Sequence, residues 1–370
     1  MTKLLIIFFI AFVLAYQSEK NTRYAVENGY TYSMKNDRAL LLLIAALVLF
    51  AGLRTAYNDT ENYIRGFDNA PDLGELLSKP GMLDIFKNPL FHIYQGFLKS
   101  LGCSSQVLVF TTSLFTQTCF ILFLKRYSSD FVFSVCIYFT LGTFCVTLAA
   151  IKQTLAMAVL TLAFKHIEQR KWVKFYLVVI IAALFHTYAL LFVILPFFTA
   201  KTWRVTTYAL IGGVVFVLLN FEGVITRFLD EANEAGKAIA EYEVFDGNGV
   251  NIVRVLVYLV PPLISFVFQK WLYRDSSPME NVLSHMTVIS FCFMLLGTQS
   301  GANMFARMAH YFEVGTVCIL PWLMQKTLVD SNYRSIRRIA MLCFFAFFVY
   351  ANGISDKFDY MYQSVRLFPW

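Results

Sequence analysis

Apolar residues in this chain come in long runs, without the short alternation of polar and apolar positions that marks a half-buried soluble element. The runs cover roughly residues 4–16, 39–53, 106–124, 131–148, 150–164, 172–185, 187–199, 205–221, 251–269, 281–297, 308–325 and 339–351. A helix that crosses a bilayer core needs about 20 predominantly apolar residues. The pattern therefore predicts an all-α, polytopic integral membrane protein with about twelve membrane helices in a single domain over residues 1–370. Residues 89–101, "PLFHIYQGFLKSL", are short and mixed and predict an interfacial helix. Two stretches leave the number of crossings open. The first, 131–164, is expected to break near Ala149–Gln153, where Lys152 and Gln153 supply a polar turn. The second, 172–199, reads as one long tilted helix or as two arms turning near His186; a single crossing would flip every later loop and put Arg334, Arg337 and Arg338 outside, so the hairpin is expected, its arms, about 20 Å long at 1.5 Å per residue, short enough to be re-entrant.

The polar segments between the runs sort by charge. With both long runs read as hairpins, the segments around 17–38, 125–130, 165–174, 200–204, 270–280 and 326–338 share one side and hold 18 of the 31 Lys and Arg, against 8 acids. An excess of Lys and Arg marks cytoplasmic loops, so that side is read as cytoplasmic. The extracytoplasmic side then receives residues 54–88, the outer turns with Lys152 and His186, the acidic loop 222–250 and Arg307. The first run carries a weak cleavage-like site at Val13 and Ala15. Cleavage would put Lys20, Arg23, Lys35 and Arg38 outside, so an uncleaved anchor is expected.

Composition narrows the classes further. The chain is 58% hydrophobic and only 15% charged, where soluble domains carry about 25% charged residues. For its formal charge of +7 the location matters more than the sum, and no basic segment interleaved with aromatics points to nucleic acid. Six of the seven cysteines lie inside apolar runs, which fits small core residues better than a disulfide framework or a metal site. There is no phosphate-loop GK[ST], no HExxH and no serine elbow.

The chemistry-bearing residues collect on the extracytoplasmic side. "GLRTAYNDTENYIRGF" at 52–67 holds Arg54, Tyr57, Asp59, Tyr63 and Arg65 at the mouth of a helix. Arg54 either snorkels to lipid phosphate or holds a phosphate or pyrophosphate in a bidentate grip. Asp59 is a base, a metal ligand or a loop cap. An ammonium in a run as apolar as that around Lys152 marks a functional site by default, with Gln153 beside it, unless it is a turn residue reaching water. His186 is either a satisfied structural histidine or a general base, a task its ordinary pKa near 6.5 suits. Arg307, His310 and Glu313 recur every three residues at the start of a membrane helix, with Tyr311 four after Arg307. Such a stripe either faces a cavity or ties Arg307 to Glu313 internally. The loop 222–250 carries seven acids, as a cover over a site or as a solvated loop.

Taken in order, "GLR" with "NDTENY", "IKQTLAMAVLTLAF", "LFHTYALLFVILPFF" and "ARMAHYFEVGTVCILPWL" resemble the EpsG branch of the Wzy-type polysaccharide polymerases, from about residue 40 onward. One position departs. The family's usual Arg-Gln stands here as Lys152–Gln153, which keeps the charge and loses the fork that grips phosphate with two bonds. The resemblance implies a glycosyltransferase-C-like fold and an enzyme of the bacterial plasma membrane. Such an enzyme joins oligosaccharide repeat units carried on undecaprenyl pyrophosphate at the outer face, without nucleotide sugar, metal or other cofactor. Its partners would be those lipid-linked oligosaccharides, membrane lipid and a chain-length regulator protein. Within it, Arg54, Lys152 and Arg307 would face the pyrophosphate. His186 would be the base, with Asp59 its rival. Tyr57, Tyr63, Arg65, Gln153, His310 and Tyr311 would hold sugars. The competing readings are an O-antigen ligase with the same donor, a flippase or transporter, and a non-catalytic scaffold. A transporter predicts polar residues along a path through both leaflets, whereas here they gather on one side.

Overall fold

The computed structural model describes residues 1–27, 33–78, 88–220, 249–299, 303–353 and 357–365. The acidic loop 222–250 falls almost wholly outside the described residues, as does the end of the 54–88 segment. The chain divides into two compact units, Met1–Phe192 together with Asp330–Trp370, and Val193–Val329.

In the first unit, α1 (Thr2–Glu27) turns Leu4, Ile7, Phe8, Ala11, Ala15 and Ser18 inward at three- and four-residue spacing. That face packs on α2 (Arg38–Gly52) and α7 (Phe131–Thr140). The helix runs well past the apolar run 4–16 because its inner face continues as small and polar residues. Ser18 and Asn21 hydrogen-bond to Asp37, at 2.6 and 3.0 Å, and Asp37 also caps α2 by accepting from the Leu40 amide. Helix α6 (Ser105–Tyr127) lies along α2 and carries buried polar residues that find partners across the core. The Gln117 amide donates to Thr147 at 2.8 Å and its carbonyl accepts from Tyr138 at 2.9 Å.

The 131–164 run breaks at Ala150 as expected. There α8 (Thr143–Ala149) ends and α9 (Ile151–Thr161) begins. A second break is new. Gly142, at φ 100°, separates α7 from α8 with a bend of 54°, a conformation glycine adopts without the Cβ penalty. After α10 (Phe164–Glu168), α11 (Trp172–Phe185) stops at His186, which is extended (φ −158°, ψ 119°), and Thr187–Phe198 follows as a 3₁₀ helix. Short helices α3 (Thr60–Asp68) and α4 (Leu73–Ser78) and the helix expected at 89–101, α5 (Pro89–Ser100), cover one end. Helix α5 buries Phe91, Gln95 and Leu98 and exposes Phe97.

Unit 2 contains α12 (Val205–Leu219), α13 (Ile252–Val267), α14 (Gln269–Leu272), α15 (Pro278–Leu296) and α16 (Asn303–Thr327). A capping box between Ser277 and Glu280 starts α15. Helices α15 and α16 pack closely: a Cβ on Gly315 would lie 2.5 Å from the Met286 Cβ. The chain returns to the first unit through α17 (Asp330–Gly353) and α18 (Lys357–Met361).

Among the described residues four helices are long and apolar enough to cross a membrane, α1, α6, α15 and α17, or five if the bent pair α7–α8 is one span. Helices α2, α11, α12 and α13 and the 3₁₀ run are apolar but shorter. This is a multi-pass membrane protein.

Unit 1 has two chemically distinct ends. At one, four basic segments meet. Lys125 donates to Ser18 and Thr22 at 2.8 and 2.9 Å, Arg126 pairs with Glu168 at 2.9 Å, and the Val132 amide reaches Glu19 at 3.0 Å. Buried Asp130 takes Arg337 at 2.6 Å and Tyr333 at 2.8 Å. The opposite ends of α2, α6 and α9 carry residues 52–67, Gln106 and Lys152.

Candidate active site

Arg54 follows α2 directly, in a three-residue strand, β1 (Arg54–Ala56), which pairs antiparallel with β2 (Gln363–Ser364). Its side chain turns inward and has no exposed surface. The guanidinium donates to the Ala51 carbonyl, to Ser113 Oγ at 2.9 Å and to Thr60 Oγ1 at 3.1 Å. The Ala51 carbonyl belongs to the last turn of α2, where carbonyls lack helical partners and partial negative charge gathers. Thr60 in turn donates to the Leu148 carbonyl at 3.3 Å, linking Arg54 to the end of α8. Among the described residues no carboxylate lies within ion-pair distance of Arg54. Burial pushes its pKa down to about 10, with the phenols of Tyr362, Tyr63 and Tyr57 pulling the other way, so it remains a cation at neutral pH.

Aromatic residues close this end. Tyr362, from the C-terminal segment, stacks on Phe50 at 4.5 Å and donates to the Phe50 carbonyl at 2.6 Å. Burial pushes the Tyr362 phenol up to about 12, against the pull of Arg54. Tyr57 lies against Phe358 at 4.9 Å. Gln106 donates to the Gly52 and Arg54 carbonyls at 2.7 and 3.2 Å, and the Val365 amide reaches the Leu53 carbonyl at 2.8 Å.

Lys152, at the start of α9, is half-buried with its ammonium 5.9 Å from the centre of the Phe91 ring, cation–π range. Tyr63 meets the same ring edge-on at 6.0 Å. Phe91 lies in an apolar cluster with Phe67, Leu98, Leu108, Val109, Ile151 and Leu155, against which Tyr63, Tyr94 and Phe185 pack. His186 follows Phe185 and sets its ring 5.1 Å from that of Tyr188. The next residue, Thr187, accepts no turn of α11; its amide donates to Asn88 Oδ1 at 3.3 Å, just before α5. The neighbours on both sides of His186 thus fasten it beside the Lys152–Phe91 patch. Gln153 is buried and points along α9 toward Met157.

Asp59 is half-exposed at the start of α3, with no capping bond from its side chain. Arg65 is exposed and sits 3.7 Å from Glu61 one turn away, a solvated pair of the kind worth little to stability.

The second unit holds its own polar cluster. Glu313 is fully buried and accepts from Tyr258 at 2.7 Å, and His310 Nδ1 lies 2.5 Å from the same carboxylate oxygen. Tyr311 is buried, whereas Arg307 is exposed in the first turns of α16. The stripe seen in the sequence therefore resolves into an inner part, His310 and Glu313, and an outer one, Arg307. Tyr258 escaped the sequence reading because a tyrosine inside an apolar run looks like ordinary lining. One partner of Arg54 did leave a trace, since Ser113 is a polar position within α6.

A scan of family models against the chain matches the EpsG family over residues 38–364, from the start of α2 to the end of β2. Neither the curated proteins nor the solved structures gave a match. The matched region takes in Arg54, Lys152, His186 and the His310–Glu313 pair, and it spans nearly the whole chain; the chain belongs to the EpsG family, a membership that implies a polysaccharide polymerase-like, glycosyltransferase function.

Proposed function

We propose that this protein joins oligosaccharide units carried on undecaprenyl pyrophosphate at the extracytoplasmic face of a bacterial plasma membrane, with the pyrophosphate lipid as leaving group. The observation that carries the proposal is Arg54. A guanidinium is costly to bury, and buried charges are ordinarily paired; this one has hydrogen bonds but no carboxylate among the described residues. A fixed positive charge in low-dielectric surroundings stabilises negative charge as it develops, and stabilises it more strongly than it would in water. Arg54 lies at the end of the first unit opposite the basic segments. With those segments cytoplasmic by the positive-inside rule, that end faces outward.

In this mechanism Lys152, half-buried over Phe91, contacts the departing pyrophosphate, and Arg54 acts through its field from behind. The acceptor sugar hydroxyl attacks the anomeric carbon of the donor, the bond from that carbon to the phosphate oxygen breaks, and the electron pair leaves with the pyrophosphate. His186 takes the hydroxyl proton. Tyr57 and Tyr63 offer rings and phenols to the sugars, and Asp59 is the rival base.

The test is the glycan ladder of a deletion strain complemented with wild type or with Lys152→Ala, His186→Ala or Asp59→Ala, each at matched membrane level. The proposal expects single repeat units in the deletion, a ladder with wild type, and no ladder with Lys152→Ala. A deletion strain with no units on its surface would instead favour a flippase or a ligase. A full ladder with His186→Ala would remove His186 as the base and move that role to Asp59.

A further inference from the structure

The second unit carries a cavity of about 340 Å³ between the turn that precedes α12 and the α13–α14 turn. Four cations line it, Lys201, Arg204, Lys270 and Arg274, together with Trp203 and Tyr273. Asp275 follows in the same loop and Glu280 in the first turn of α15, but neither lines the cavity, and Glu280 is engaged in the cap of α15. The cavity is a fixed shape. Lys201 donates to the Arg274 carbonyl at 2.9 Å and so ties one wall to the other. The Trp203 indole donates to Ser265 at 2.8 Å, and the Tyr273 hydroxyl bonds to the same fully buried serine. Four like charges converging on one concave space repel one another unless an anion enters.

The surroundings say which anion. On either side of the cavity the helices present bare apolar side chains. Val205 is 83% exposed, Val267 62% and Trp271 73%, with Tyr208, Phe266 and Phe268 about half exposed. A charged hollow at the end of apolar helices, flanked by tryptophan and tyrosine, is the environment of a membrane interface. Basic pockets in that position suit lipid head groups.

We propose that this cavity binds an anionic phospholipid, with its phosphate among Lys201, Arg204, Lys270 and Arg274 and its acyl chains along the exposed faces of α12 and α13. The site is independent of the polymerase reading, since no residue assigned to the transfer takes part in it.

The full-length protein, purified in a mild detergent, is incubated with dioleoyl phosphatidylglycerol, with dioleoyl phosphatidylcholine or with inorganic phosphate, and bound molecules are counted by native mass spectrometry. Phosphatidylglycerol should be retained in preference to phosphatidylcholine. Arg204→Gln and Lys270→Gln, both exposed positions, should each weaken that retention about fivefold, as loss of one cation near an anionic lipid predicts. Arg338→Gln, an exposed cation in the other unit, should leave it unchanged. Unfolding midpoints equal to wild type establish that each variant is folded, and two separate variants guard against one failing. Equal retention of the two lipids, or an equal loss with Arg338→Gln, overturns the proposal. Displacement of the lipid by millimolar inorganic phosphate overturns the lipid assignment and leaves a free-anion site.

Discussion

Replacing Arg54 by methionine separates a structural use of that residue from an electrostatic one. A guanidinium whose pKa falls from 12.5 to about 10 carries roughly 3 kcal/mol against its charged form. Methionine relieves that cost and fills a similar volume. It also removes three hydrogen bonds, to Ala51, Ser113 and Thr60, each worth about 1.5–3 kcal/mol because the donor is charged. Ser113 and Thr60 can turn to backbone carbonyls, as Thr60 already does toward Leu148. The lost bonds outweigh the relieved cost by about 1–6 kcal/mol, less what Ser113 and Thr60 recover at backbone carbonyls, so Arg54→Met should unfold at a lower midpoint than wild type but still fold. Activity should respond very differently. Removing one preorganised charge or donor that stabilises developing negative charge costs about 10²- to 10³-fold in rate. The assay is paired: thermal unfolding of the purified variant in detergent, and the glycan ladder of the complemented deletion strain. A folded Arg54→Met protein that makes full-length polymer would refute the electrostatic role and leave Arg54 as a brace for the end of α2.

Three further outcomes are expected. Lys152→Arg should keep a partial ladder and Lys152→Ala none, because the charge at this position is preserved in the first and lost in the second; equal ladders would show that the ammonium is not used. Gly315→Ala should lower stability by about 1–3 kcal/mol, the usual cost of overpacking, since its Cβ would meet Met286 at 2.5 Å and the Leu283 carbonyl at 3.1 Å; an unchanged unfolding midpoint would refute the close packing of α15 on α16. Asp130→Ala should destabilise by about 3–5 kcal/mol, the cost of breaking a buried pair, because it strands Arg337 and also removes the cap of α7 and the Tyr333 contact; a variant that unfolds like wild type would show the pair to be solvated.

The order of elements was legible because membrane helices announce themselves by apolar length alone. Each of the twelve runs corresponds to a helix or a broken pair of helices, of which four, or five with the bent pair, are long enough to cross a membrane among the described residues, and the breaks at Ala150 and His186 fell where polar residues interrupted the runs. The bend at Gly142 was not legible, since a lone glycine between Leu141 and Thr143 in a greasy stretch leaves no polar mark. The polar overhang of α1 was missed for a related reason: Ser18 and Asn21 are helical because Asp37 lies across from them, a partner that periodicity cannot reveal. At the site the sequence supplied the residue types and missed their directions. Arg54 reads as a lip residue that could snorkel outward, and it turns inward because the end of α2, Ser113 and Thr60 offer it acceptors. Glu313 pairs with His310 and Tyr258; the sequence showed His310 on the same stripe, but Tyr258 sits 55 residues away on another helix.

The pairing of β1 with β2 has a consequence for how the protein is made. Membrane helices enter the bilayer as they leave the ribosome, so α1 to α11 are in place while the last helices are still being translated. The neighbourhood of Arg54 stays open through all of that time. Only after α17 has been made can Ser364 come opposite Arg54 and Tyr362 cover Phe50. A chain released early, or cut after α17, would keep its helices in the membrane yet lack one wall around its buried cation. Closure of that wall thus waits for a segment some three hundred residues further along the chain, and a chain cut before Tyr362 leaves its buried cation uncovered on that side.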